Sequence, residues 1–276
     1  MTTVLVDPSN AGQASAWDGP EGEFWAEEAD AFDRSVAAYD ADLLAAADLR
    51  PGERVLDVGC GTGHITREAA RRCAPGTAVG IDLSARMIEV ARSRGGGGVS
   101  YRQADAQVAA LDEVDVVLSR TGAMFFGRPA DAFANLRRAL KPDGRIVLLV
   151  WQAYERNEWI RDLRAALAAG RDLPMPPADA PGPFSLADPG RLRSLLTGAG
   201  FADLHVADVR RPMDFGPDVD SAYALLTGLL GWMLHGLDDA ARTGALAELR
   251  RTLQEHATPD GVRFGSAAWL VTGRAV

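Results

Sequence analysis

The chain has 276 residues, of which 47% are hydrophobic, and its 38 acidic and 29 basic side chains give a formal net charge of −9. This length fits one large α/β domain or one domain with a cap, and the apolar share is enough for a sizeable core. The acidic balance argues against nucleic acid or an anionic membrane as the main partner. Two cysteines are too few for a disulfide framework. No secretory leader pattern opens the sequence, and no apolar run is long enough to span a bilayer. We therefore expect a soluble, cytoplasmic protein.

The first half of the chain predicts helices followed by a strand–helix alternation. Residues 1–20 are polar and glycine-containing, which predicts a mobile segment, whereas residues 23–49 have the apolar spacing of helices. The alternation that follows predicts a parallel sheet with helices on both faces. Its strands are expected at Arg54–Val58, Ala78–Asp82, Val99–Gln103, Val114–Ser119 and Arg145–Trp151. Its helices are expected at about His64–Arg72, Ala85–Arg94 (with Ser84 as N-cap) and Ala130–Leu140, the last ended by a turn at Lys141–Gly144.

After Trp151 this regularity breaks. Two further strands are predicted at Phe201–Val209 and Arg263–Thr272, and two helical insertions interrupt them at about 152–187 and 212–259. Ligands of open α/β sheets bind beyond the carboxyl ends of the strands, so insertions placed there would cap a pocket. We accordingly divide the chain into an N-terminal helical lid (1–50), a cofactor-binding core (51–151) and a C-terminal half with the cap insertions (152–276).

A glycine loop follows the first predicted strand. Gly59, Gly61 and Gly63 remove three Cβ atoms where the chain turns, so a ligand can lie directly against the backbone. The dinucleotide fingerprint needs a glycine at the sixth position, which is His64 here, and Asp57 would repel a pyrophosphate. The loop therefore favours a nucleoside ligand without phosphates over NAD or ATP.

Two acids stand at the ends of the next two strands. Asp82 ends the second strand, where a carboxylate can accept hydrogen bonds from both ribose hydroxyls, and Leu83 and Met87 would flank an adenine. Asp105 follows the third strand and is placed to accept from the adenine amino group. An acid at a strand end is often only a helix N-cap, but the ordered set on three successive strands predicts a nucleoside site.

At these residues the chain resembles the class I S-adenosylmethionine-dependent methyltransferases, of the small-molecule type related to the ubiquinone/menaquinone-biosynthesis enzymes. The resemblance lies in Val55–Gly63, Val79–Ser84, Asp105–Ala106, Asp115–Ser119, Leu136–Gly144, Phe184–Asp188 and Ala199–Phe201. It implies a Rossmann-like α/β fold with a mostly parallel seven-stranded sheet, S-adenosyl-L-methionine as cofactor and S-adenosyl-L-homocysteine as product. It also implies a set of cofactor-binding residues, namely Asp57, Gly59, Cys60, Gly61, Gly63, Asp82, Leu83, Met87, Asp105, Ala106, Ser119 and Arg120.

The acceptor side has no comparable motif. We expect a small, largely apolar metabolite of specialised (natural-product) biosynthesis, no metal, and a monomer or homodimer. His235 is the candidate general base, because it follows an apolar stripe with the spacing of a buried helix face, although such a stripe is more often simple cap core. The candidate pocket residues are Trp25, Tyr39, Met124, Trp151, Leu229 and Met233.

Two other enzyme classes compete with this interpretation. Bound cofactor could serve a non-methyl reaction such as cyclisation, which the intact loop and acids do not distinguish from methyl transfer. A macromolecular methyltransferase is the other, but Ser119–Gly122 stands where base-methylating enzymes carry an Asn/Asp-Pro-Pro-aromatic motif.

Overall fold

The computed structural model describes residues 4–276, and its centre is one twisted sheet. The strands follow the order β3-β2-β1-β4-β5-β8-β6. The first five strands pair in parallel, whereas β8 pairs antiparallel with both β5 and β6. The predicted mostly parallel seven-stranded sheet is therefore confirmed, with a two-residue strand, β7, added as a hairpin on β8. The bounds are β1 Arg54–Val58, β2 Thr77–Asp82, β3 Val99–Gln103, β4 Val114–Arg120, β5 Leu140–Trp151, β6 Phe201–Asp214, β7 Ala257–Thr258 and β8 Gly261–Ala275.

The helices lie on both faces of the sheet and around its carboxyl edge, the edge where the parallel strands end. The predicted N-cap is present, because the Ser84 hydroxyl accepts from the Met87 N–H at 3.2 Å. The Asp188 carboxylate caps another helix by accepting from the Arg191 N–H at 2.8 Å. The α-helices are α1 Ala11–Trp17, α2 Pro20–Glu27, α3 Ala29–Val36, α4 Asp40–Ala47, α5 His64–Cys73, α6 Ala85–Arg94, α7 Pro129–Ala139, α8 Glu158–Leu167, α9 Pro189–Gly198, α10 Val219–Leu230 and α11 Asp239–Glu255.

The N-terminal segment differs from the expectation of mobility. Residues 1–3 lie outside the described residues, but α1 is a helix and Asn10 is only 1% exposed. The Asp7 N–H and the Asn10 side chain both donate to Asp105, at 3.0 and 3.1 Å. Polar residues that look mobile in sequence are held here by a partner 95 or more positions away.

Two strand boundaries also differ. The predicted turn at Lys141–Gly144 lies inside β5, because Leu140 pairs with Val114 before an irregularity in the register. Strand β6 continues to Asp214, since it pairs with β8 over its whole length, so the second insertion begins later than expected.

The core strands are buried on both faces, as parallel strands covered by helices must be. In β5, every residue from Ile146 to Val150 is completely buried. Because β1, β2, β4 and β5 are parallel, their carboxyl ends lie at one edge of the sheet, beneath the N-terminal helices and both insertions. Among residues 4–276, no helix combines the length and apolarity needed to cross a membrane.

Candidate active site

A large cavity of about 1030 Å³ lies at the carboxyl edge. Its floor is the glycine loop and the strand ends, and its walls come from the N-terminal segment and from both insertions. This volume is at the top of the range typical of small-molecule sites, so a cofactor and an acceptor could share it. The predicted residues that line it are Trp25, Asp57, Gly59, Cys60, Gly61, Asp82, Leu83, Met87, Asp105, Ala106, Arg120, Met124, Trp151, Leu229 and Met233.

The three loop glycines serve different purposes, although all have positive φ. A Cβ on Gly61 would meet only the Met87 sulfur, at 3.7 Å, so this glycine leaves open space beside its backbone. A Cβ on Gly59 would lie 2.8 Å from the Gly122 Cα, so Gly59 allows the loop to pack against the end of β4. A Cβ on Gly63 would lie 2.5 Å from the Tyr101 hydroxyl oxygen, so Gly63 allows the loop to pack against Tyr101 and, unlike the other two glycines, does not line the cavity.

The Asp82 carboxylate ties the loop to the second strand. Its Oδ2 accepts from the Gly61 N–H at 2.8 Å and its Oδ1 from the Ser84 N–H at 2.9 Å. Burial raises the pKa of this carboxyl, against the lowering effect of the backbone donors. Each carboxylate oxygen still has one acceptor position, which is what a pair of vicinal hydroxyls requires.

Most of the acceptor positions of the Asp105 carboxylate are already used by donors from the protein itself. It is 1% exposed and accepts from the Asp7 N–H, the Asn10 amide and the Gln107 N–H. A carboxylate offers about four acceptor positions, so one remains for a further donor. The same side chain therefore lines the cavity and anchors the N-terminal segment beside it.

Asp57 lies beneath the loop and is 1% exposed. Its carboxylate accepts from the Thr66 hydroxyl at 2.7 Å. Burial raises its pKa to about 6, against this hydrogen bond and the charge of Arg120. Asp57 is thus a buried acid that changes its charge near neutral pH.

Arg120 is the centre of a buried ion-pair network that sequence spacing does not reveal. Its guanidinium donates to Asp33 at 2.5 Å and to Asp40 at 2.8 Å, and Asp40 also contacts the His64 Nε2 at 2.9 Å. Burial acts to raise the pKa of Asp40, but hydrogen bonds and charge from His64 and Arg120 hold it below its ordinary value. The network joins α3 and α4 to the glycine loop and to the end of β4.

Two other predicted site residues do not line the cavity. Ser119 is fully buried outside the lining: its hydroxyl donates to the Val58 carbonyl at 2.7 Å and accepts from the Ala123 N–H at 3.1 Å. Tyr39 is also fully buried, and its hydroxyl pairs with the Ser266 hydroxyl at 2.7 Å. Both side chains hold elements together instead of facing a ligand.

His235 is not placed to act as a base. It is exposed, is absent from the cavity lining, and follows the helical turn Gly231–Leu234, which is a 3-10 helix. Helix α10 ends at Leu230, so the periodicity of the apolar stripe cannot be continued to residue 235. Of that stripe, Leu225, Leu229, Leu230 and Met233 line the cavity, whereas Ala222 and Leu226 pack into the core.

The first insertion supplies lining residues that the sequence analysis missed. Trp159, Ile160 and Arg164 of α8 all face the cavity, and Trp159 lies 6.0 Å from Trp151 between ring centroids. The signal was present as helical spacing, because residues 160 and 164 are four apart and share a helix face. An arginine on an otherwise apolar helix face was the sequence feature that could have indicated a ligand-facing surface.

Outside the cavity, Glu158, Asp162 and His256 bring their ligand atoms within 4.8 Å of one another. The His256 Nε2 lies 3.8 Å from a carboxylate oxygen of each acid. None of the three lines the cavity.

Comparison with known proteins identifies the family. Residues 56–148 match the model of a methyltransferase domain. Nocamycin O-methyltransferase of Saccharothrix syringae is 32% identical over 88% of this chain and 96% of its own length. The chain belongs to the class I S-adenosylmethionine-dependent methyltransferases. The predicted family, enzyme class and cofactor are thereby confirmed, and this methyltransferase carries the family's sheet order with a capped carboxyl edge.

Two further proteins are similar to this enzyme over very different shares of its length. The ubiquinone/menaquinone biosynthesis C-methyltransferase UbiE of Stutzerimonas stutzeri is 36% identical over only 36% of this methyltransferase and 42% of its own length. The solved structure of the [4+2]-cyclase SpnF aligns over 100% of both chains with a TM-score of 0.55 and 19% identity. At that identity the cyclase shares the fold alone.

Proposed function

We propose that this enzyme transfers the methyl group of S-adenosylmethionine to a small, largely apolar metabolite of specialised biosynthesis. The observation that carries the proposal is the continuity of one cavity from the glycine loop to apolar walls contributed by both insertions. The full-length similarity to an enzyme named nocamycin O-methyltransferase supports a natural-product acceptor and transfer to oxygen.

The lining residues fit the cofactor. Asp82 offers the acceptor positions that the ribose hydroxyls need, and Leu83 and Met87 flank the space for the adenine. Asp105 keeps one acceptor position for the adenine amino group, next to Ala106. The open face of Gly61 leaves room for the methionine part, with Cys60 and Arg120 beside it and Asp57 supplying negative charge toward its ammonium group.

Methyl transfer requires the protein mainly to position the cofactor and the acceptor and to exclude water from the site. When bound, the cofactor supplies an electrophilic methyl group on a positively charged sulfur. Aromatic side chains line the cavity walls, among them Trp25, Phe32 and Trp159. They would exclude water, which favours a displacement in which the positive charge on sulfur is lost. Met124 and Trp151 line the cavity beside the ends of β4 and β5, where they would help to position an acceptor.

The experiment that tests this function is transfer of tritium from S-[methyl-³H]adenosylmethionine to an organic extract of the organism that makes the chain. We expect labelled product in the organic phase, at an equal rate for the His235→Ala variant, because that side chain lies outside the cavity. Cofactor binding without any labelled product, together with a new unlabelled compound, would favour the cyclisation alternative. Loss of labelling in His235→Ala would contradict the site as drawn.

The raised pKa of Asp57 predicts a pH-dependent affinity for S-adenosylhomocysteine. Below pH 6 the carboxyl is protonated and neutral, and above pH 6 it is an anion that attracts the ligand's ammonium group, so affinity rises with pH. We expect binding about tenfold weaker at pH 5 than at pH 7.5, measured by calorimetry. Asp57→Asn should remove this dependence, and an unchanged profile in that variant would assign the titration to another group.

A further inference from the structure

The most unusual side chain in the cavity is Arg164. Arg120 and Arg164 are the two arginines among residues 4–276 that are nine-tenths buried, each 9% exposed. Arg120 has two carboxylate partners, whereas no acid among the described residues lies within 4.0 Å of the Arg164 guanidinium. Arg164 therefore carries a buried positive charge without a compensating negative one.

The contacts of Arg164 do not offset the free-energy cost of burying its positive charge. Its Nη2 donates to the Leu173 carbonyl at 2.6 Å, and its guanidinium lies 5.9 Å from the centre of the Tyr154 ring. Its place near the C-terminal end of α8 gives only a small favourable interaction with the helix dipole. Removing an ion from water costs far more than such an interaction returns. Since Arg164 also lines the cavity, the missing anion is expected to arrive with a ligand.

The rest of the lining restricts what that ligand can be. Among the described residues, no histidine, lysine or tyrosine lines the cavity, and its titratable groups other than the two arginines and Cys60 are carboxyls. Asp33 is held by Arg120, Glu21 stands on the N-terminal segment, and the other acids lie at the cofactor end. Carboxylates are weak bases for deprotonating an alcohol or amine, so an acceptor already ionised at neutral pH suits this cavity best.

Resting on the proposed function, we propose that the methyl acceptor is an apolar carboxylic acid, and that Arg164 binds its carboxylate. In the reaction a carboxylate oxygen forms the new C–O bond, the methyl C–S bond breaks, and its electron pair stays on sulfur. The negative carboxylate and the positive sulfonium both become neutral, and no proton is transferred. The ester product no longer pairs with Arg164, which favours its release.

A matched pair of fluorescent probes tests the binding half of the proposal. 8-Anilinonaphthalene-1-sulfonate carries an anion, and N-phenyl-1-naphthylamine is the same ring system without it. With S-adenosylhomocysteine present, Arg164→Met should weaken binding of the anionic probe at least tenfold and change that of the neutral probe less than twofold. Arg164→Lys should recover part of the loss. Arg161→Met, on the exposed face of the same helix, should change neither affinity.

The chemical half is tested on the labelled product. A methyl ester releases its label as methanol in mild alkali, whereas methyl ethers, N-methyl and C-methyl groups resist. Alkali-labile label that falls at least tenfold in Arg164→Met supports the proposal. Equal losses for both probes, or an alkali-stable product, would overturn it while leaving methyl transfer intact. Absence of both cofactor binding and transfer would refute the proposed function itself, and the probe pair would still decide whether Arg164 binds an anion.

Discussion

Replacing Arg120 by alanine is expected to lower the free energy of unfolding by about 3 kcal/mol, because two partly buried acids each lose their shortest ion pair. The side chains of Asp33 and Asp40 are only 15% and 14% exposed, and without Arg120 they keep only Arg94, at 3.4 Å, and His64, at 2.9 Å, as partners. Equilibrium urea unfolding, with the slope of the transition checked for constancy, measures the loss.

The matched control is Arg128→Ala. Arg128 pairs with Asp131 on the surface, with side chains 60% and 47% exposed, so its loss should cost less than about 1 kcal/mol. If both variants lost similarly little unfolding free energy, water would have to reach the Arg120 network. This end of the cavity would then be open to solvent, contrary to our expectation.

Replacing Asp82 by alanine is expected to weaken S-adenosylhomocysteine binding at least tenfold, or about 1.4 kcal/mol or more. Two effects add: the proposed acceptor for the ribose is removed, and the Gly61 N–H loses its hydrogen bond to Asp82. Asp82→Asn keeps one carbonyl oxygen as acceptor and should retain part of the affinity. Isothermal titration calorimetry at pH 7.5 is the measurement.

Asp115→Ala serves as the control for Asp82. Asp115 accepts from the Arg54 N–H at 2.8 Å and from Lys141 at 2.7 Å at the amino end of the strands, away from the cavity lining. It should lower stability without changing affinity. An unchanged dissociation constant in Asp82→Ala would remove this carboxylate from the cofactor site.

The cofactor half of the enzyme was predictable because its signals are local. The turn from β1 to α5, the acid that ends β2 and the N-cap at Ser84 each depend on residues a few positions apart, and positive φ at Gly61 restricts the residue type directly. The parallel sheet with helices on both faces followed from the alternation of elements, since such connections are right-handed.

The acceptor half was predicted less well, and the errors have a common cause. His235 was assigned by extending a helical period past Leu230, where the chain changes to a 3-10 turn. Tyr39 was a candidate pocket residue and Ser119 was carried over from the family resemblance, but a buried hydroxyl must find a partner, and theirs are Ser266 and the Val58 carbonyl. Neither partner is visible from the neighbouring sequence.

The sequence by itself therefore determined the fold class, the family and the cofactor, because glycine conformation, strand-end acids and helix caps are properties of short segments. Only the tertiary structure decided which charges are compensated. It brings Asp33, Asp40 and His64 to Arg120 from distant positions, gives Asp105 its donors from Asp7 and Asn10, and leaves Arg164 without an acid. Electrostatic compensation depends on distances of a few ångströms between elements far apart in the chain, and those distances exist only after packing.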